Sequence, residues 1–239
     1  MSVFITRRGA TTSGGTTPEP IVTADPVFAN NSWEAIIEAC QTNAIPSSWA
    51  VGDYKPMAIG GYTGFVAIIG KNHDEYSDGT GLAPLTFQLY DAYGNTRYIM
   101  YDVQTNSPSW EESQIRTFSL PNILATMPDE VKVGIREVNK LTSVGQQLSV
   151  IETTADKLFL PSEVEMFGVT TFSAQGEGQQ YAYYKDRNKI KSVNGDGVKW
   201  WLRSPHGTSM TNYCCVDESG YPTYDSAIQN LHISFAFCF

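Results

Sequence analysis

The stretch GVKWWLRSP, residues 197–205, constrains the fold of this chain more than any other. Tryptophan is large and carries an N–H that needs an acceptor, so two in succession demand a deep and well-partnered site. Along an extended backbone, Val198, Trp200 and Leu202 go to one face and Lys199, Trp201 and Arg203 to the other. Apolar groups on both faces mark a buried strand, and Pro205, with no N–H for a ladder, closes it. Trp200 and Trp201 are therefore read as structural: at least one indole is core, and Arg203 covers the other through a cation–π contact on the face of Trp201. The last eight residues, HISFAFCF, alternate as well, and place Ile233, Phe235, Phe237 and Phe239 on one face of a strand inside a sheet.

A chain of 239 residues, 41% hydrophobic, holds enough apolar material for one large domain. Its 25 acidic against 16 basic residues, net −9, would repel a phosphate backbone, so no nucleic acid is expected as a partner. Apolar runs such as FVAII at 65–69 are too short to span a bilayer, and the polar start MSVFITRRGATTSGG lacks the apolar core of a signal peptide. No membrane insertion is expected. Cys40, Cys214, Cys215 and Cys238 show no CxxC spacing, and adjacent cysteines bridge each other poorly. Reduced, packed thiols follow, with no metal and no cofactor.

Residues 9–26 are Gly, Thr, Ser and Pro with little to bury, which makes residues 1–30 an extended N-terminal arm and 31–239 the globular domain. NSWEAIIEACQ has Trp33, Ile36, Ile37 and Cys40 on one helical face, with Asn31 and Glu34 as a capping box. Runs between 51 and 105 read as short strands and turns. Ser109 with Glu112 repeats the capping signal and opens a helix that ends before Pro121, and a short helical turn follows around PNILATM. DEVKVGIREVNKLTS fits helix and strand equally. DKLFLPSEVEMFG gives a strand over Lys157–Leu160, then a helix capped by Ser162 with Glu165 at its third position. Short strands mixed with a few helices define an α+β chain.

Residues with chemical potential have bland explanations beside them. Glu163 and Glu165 could form an acid/base pair, but at a helix start they complement the dipole, and Glu163 is placed to pair with Arg203. Asn72, His73, Asp74, Glu75 and Asp78 offer metal ligands without the spacing of a calcium loop. His73, His206 and His232 stand beside no nucleophile motif, and Cys214 reads as an inert buried thiol. The segment 206–230 differs: thirteen of its 25 residues are Asn, Ser, Thr, Tyr or Asp, the mixture of binding loops. Lying between two anchored strands, it is displayed on a rigid base. Asn212, Tyr213, Tyr221, Tyr224 and Asp225 are its candidate ligand-binding residues.

The blocks ACQTNAIPSSWAVGD, IIGKNHDEYSDG, LTFQLYD, WEESQIR, TTADKLFLPSEVEMFG, GEGQQYAYY, WWLRSP and ISFAFCF, in this order, resemble an uncharacterised domain family typified by WWLRSP. Its members occur in bacterial surface proteins and in phage or prophage structural proteins. Where that family often has a Gly-Val-Arg-Pro-like turn, this chain has Leu231 to Ser234. FLPSEVEMFG also resembles the LPTEAEWE helix start of C-type-lectin-like domains of the formylglycine-generating-enzyme type. That likeness implies a C-type-lectin-like domain in which the WWLRS strand precedes a variable loop and a final strand. The calcium and sugar motifs of lectins are missing, and the cysteines do not fall on the enzymes' redox motif. The resemblances imply a virion protein, a tail or head-fibre accessory or receptor-binding component, that performs no chemistry. Its arm would join other virion proteins, its domain would bind a host-surface glycan or protein, and it would form a homo-oligomer. A bacterial surface adhesin and an enzyme with an unrecognised site are the alternatives.

Overall fold

The computed structural model describes residues 24–146 and 150–239. Of the expected arm, residues 1–23 lie outside the described residues. The rest of it belongs to the domain. The Trp49 indole donates to the Asp25 carbonyl at 2.9 Å, the Asn31 amide donates to the carbonyls of Asp25 and Val27 at 3.0 Å, and Phe28 packs edge-on to Trp49 and stacks on Phe87. The boundary expected at residue 31 therefore moves upstream to about Asp25, because Phe28, set among polar and small residues, is core.

Helix α1 (Trp33–Gln41) starts from Ser32, whose hydroxyl accepts the Ala35 N–H at 3.2 Å. Asn31, expected as the cap, is occupied by the preceding turn. Trp33, Ile36, Ile37 and Cys40 are buried, as their helical spacing predicts. Strands β1 (Tyr54–Ile59), β2 (Tyr62–Lys71) and β3 (Leu85–Leu89) form an antiparallel meander. β3 is buried on both faces, with Phe87 toward the aromatic core and Thr86 and Gln88 among buried polar groups.

Ser109 caps only the single turn Trp110–Glu112. The chain then passes through a π-helical turn, Ile115–Ser119, into α2 (Leu120–Thr126). The helical turn expected around PNILATM is α2, but helical backbone runs into it from the π turn, so Pro121 lies within the helical run and does not mark a break before it. The ambiguous DEVKVGIREVNKLTS divides into α3 (Asp129–Lys132) and β4 (Val138–Ser143), which pairs with β5 (Ile151–Asp156). The strand expected over Lys157–Leu160 is thus placed earlier, in β5, and only Phe159 pairs there, with Ala236. α4 (Glu163–Phe167) carries the expected capping box. The Ser162 hydroxyl accepts the Glu165 N–H at 3.2 Å, and the Glu165 carboxylate accepts the Ser162 N–H at 3.0 Å.

A small hairpin, β6 (Lys191–Val193) and β7 (Asp196–Val198), leads into β8 (Trp200–Pro205), β9 (Asn212–Val216) and β10 (Pro222–Ser226), a sheet in the order β10-β9-β8. The last strand, β11 (Ala236–Cys238), returns to the first sheet, whose order is β1-β2-β3-β11. All six residues of β8 are buried. The Trp200 indole donates to the Lys189 carbonyl at 3.1 Å and the Trp201 indole to the Tyr98 carbonyl at 2.8 Å, so both rings are core and both N–H groups are satisfied. Phe237 and Phe239 meet Phe87 at 5.4 and 5.3 Å. Phe235, ahead of the strand, packs on Tyr93. The architecture is α+β, short helices around small antiparallel sheets.

Candidate functional site

The base of the site is a buried ionic network. Arg203, projecting from β8, grips Glu165 with two parallel bonds, Nη1 to Oε2 at 2.5 Å and Nη2 to Oε1 at 2.9 Å. It does not cover Trp201, and its partner is not Glu163. Two helical positions separate Glu163 from Glu165, about 200° of rotation, so the two carboxylates face opposite ways. Glu165 also pairs with Lys140 at 2.7 Å, and Lys140 with Asp74 at 2.7 Å. Burial opposes ionisation of Glu165, but Arg203 and Lys140 together hold its carboxyl well below the ordinary carboxylate range. Two cations thus meet two carboxylates in the interior.

Glu163 organises the surface. Its carboxylate accepts the N–H groups of Thr171, Phe172 and Ser173 and the Ser173 hydroxyl, all within 3.1 Å, and so fixes the loop that carries Phe172. Phe172 packs against Tyr224 of β10 at 5.1 Å and against His206 at 5.7 Å, while His206 and Tyr224 meet edge to face at 4.6 Å. The Phe172 carbonyl accepts the Gly207 N–H at 2.6 Å, and a Cβ at Gly207 would press against that carbonyl at 3.0 Å, so the approach needs glycine. His206 Nδ1 accepts the N–H groups of Thr208 and Ser209, which leaves the neutral ring its proton on Nε2. Burial keeps the imidazole below its ordinary pKa against the pull of Glu163. From behind, the buried Asn106 amide donates to the carbonyls of Ser209 at 2.7 Å and Asn212 at 3.1 Å. The loop is pinned on both sides, and Met210 stands out from it into solvent.

The five expected ligand residues do not form one surface. Tyr224 joins the aromatic cluster and is 44% exposed; Tyr221, beside the hairpin tip that Asp217 ties by accepting the Ser219 and Tyr221 N–H groups, is 68% exposed. Tyr213 is a correction. It is fully buried on β9, packed on Trp201 and Tyr101, and lies across the ladder from Asp225 on the same face. Asp225 points to that same side, away from Tyr224, and pairs with Lys199 at 3.2 Å. Asn212 is half-buried, its carbonyl taken by His206 N–H and Asn106. Sequence reading missed Phe172, His206 as part of the cluster, and Asn106. The aromatic text around the late strand was visible; the partners arrive from other segments.

Of the possible metal ligands, Asp74 is committed to Lys140 and Asp78 to Arg136, and among the described residues no group of His, Cys, Asp and Glu side chains is arranged to hold a metal ion. All four cysteines are free and buried, and burial pushes the Cys40 thiol up to about 12. Among the described residues no helix is long and apolar enough to cross a membrane.

These elements fall within an α+β domain whose family can be stated. The model of a family described as Domain of unknown function (DUF6273) matches residues 89–239, more than half of the chain, and the chain belongs to that family. No curated protein and no solved structure matches it. The match begins at the end of β3, so the family segment contains β4 to β11 and the whole aromatic cluster, whereas Phe28, α1 and most of the first sheet precede it.

Proposed function

We propose that this chain is a phage or prophage virion structural protein, a tail or head-fibre component, whose domain is C-type-lectin-like and binds the host surface without catalysis. The observation that carries the reading is the aromatic cluster Phe172, His206 and Tyr224, with exposed Tyr221 and Met210 nearby in the chain, assembled from three segments of which one, at His206, directly follows a strand buried at every position. Rigid, half-exposed aromatics among small polar residues bind partners at low conformational cost. A lectin-like plan is supported by the capped helix α4 and by β8 feeding a displayed hairpin before the final strand returns to the first sheet. A binding role is favoured over catalysis because the carboxylates under the surface are spent on Arg203, Lys140 and backbone N–H groups. The arm upstream of Asp25 would join neighbouring virion proteins, the particle would carry the domain as a homo-oligomer, and synthesis would take place in the bacterial cytoplasm. Immunogold labelling of particles induced from the encoding strain tests this. Label on the particle is the expected result; label confined to the bacterial envelope would mean a cellular adhesin instead.

A further inference from the structure

A cavity of about 510 Å³ lies away from the aromatic cluster, between the loop after β2 and the β4–β5 hairpin. Its floor is the Asp74, Lys140 and Glu165 part of the ionic network. That floor needs nothing from a ligand. The Lys140 ammonium has three partners, Asp74, Glu165 and the Tyr181 hydroxyl, and both Glu165 oxygens are held by Arg203. The rim is different. The side chains of Asn72, Asn139, Thr153 and Gln179 line the cavity and make no hydrogen bond among the described residues, and two leucines beside them, Leu82 and Leu141, are 50% and 38% exposed. His73, its ring tilted against Tyr181 at 4.1 Å, completes the wall.

We infer that this cavity is a second binding site, independent of the aromatic cluster, for a neutral saccharide unit. Uncommitted amides and a hydroxyl suit a ligand with many hydroxyl groups, each able to donate and accept. Exposed leucine and imidazole surface suits the C–H face of a sugar ring. The size fits one or two such units, within the ordinary range of small-ligand pockets. Charge narrows the class further. The floor is balanced, and Glu75 is the carboxylate left over at the rim, so an anionic sugar would meet repulsion.

The chain has three histidines, and they report on different places: His73 on this cavity, His206 on the aromatic cluster, His232 on neither. Imidazole ¹H–¹⁵N spectra of the full chain, titrated with N-acetylglucosamine, methyl glucoside and maltotriose, therefore assign binding to a site. At least one of these should move the His73 signals and leave His206 still, and Asn139→Ala with Gln179→Ala should weaken that effect about tenfold or more. Should this pair of changes impair folding, Leu82→Ser at an exposed position reads the same loss. The inference is overturned if none of the three sugars moves His73, if glucuronate or choline, titrated alongside as charged comparisons, moves it where the neutral sugars do not, or if the shift survives in the folded variants. Movement of His206 alone also overturns it, and leaves the proposed host-binding surface standing.

Discussion

All five N–H donors of Arg203 have acceptors in the interior: both Glu165 oxygens, the Thr142 hydroxyl and the carbonyls of Leu141, Leu160 and Glu177. One side chain thereby ties β8 to α4, to β4 and to the loop before Tyr181. A lysine offers a point charge without the planar fork, so Arg203→Lys should cost about 3–5 kcal/mol in a denaturant melt, the usual penalty for breaking a buried pair. Glu177 is the carboxylate this balance leaves over. Burial pushes it up to about 7 from its ordinary 4.5, although it accepts the Ser143 N–H at 2.8 Å and the Ser204 hydroxyl. The folded chain then holds a proton on Glu177 that the unfolded chain releases at lower pH. The stabilisation is complete below about pH 4.5 and is lost as pH rises through about 7. Glu177→Gln mimics the protonated group, so the stability difference between variant and wild type should move in the variant's favour from about pH 5 to about pH 8. A difference that stays flat across that window would mean that Glu177 is ionised in the fold throughout.

At the level of elements, β8 is the support and the β9–β10 hairpin the display. Trp200→Ala should leave a cavity costing about 3–5 kcal/mol, read from the melt, and Tyr213→Ala should behave the same way, since that ring is equally enclosed. What the sequence makes legible here follows from range. The capping box of α4 is written within four residues, and the alternation of GVKWWLRSP within nine, so both can be read directly. Arg203's partner is harder, because Glu163 and Glu165 are equally near in sequence and only the helical rotation between them separates a buried ion pair from a loop clamp. Asn106 is harder still, as its amide serves a carbonyl 103 residues later. Pro121 shows the same limit at short range, since helical backbone runs into it from the π turn where its sequence predicts a break.

For the whole molecule, the folding unit is larger than the family segment. β11 pairs with β3, and Phe237 and Phe239 complete a cluster with Phe87, next to Phe28 and Trp33, that residues 89–239 alone do not contain. A fragment of residues 89–239 should show no cooperative thermal transition, whereas residues 25–239 should melt cooperatively; a sharp transition in the shorter fragment would mean that the first sheet is an addition to a self-sufficient fold. The division between a rigid interior and a displayed surface is the central claim, and one paired measurement tests it most directly: a thermal melt and a host-cell binding isotherm for Tyr224→Ala. The melt should stay within about 1 kcal/mol of wild type while binding weakens by about 2 kcal/mol, roughly thirtyfold. Unchanged binding by a folded Tyr224→Ala chain would contradict the account, and so would a melt displaced as far as that of Trp200→Ala.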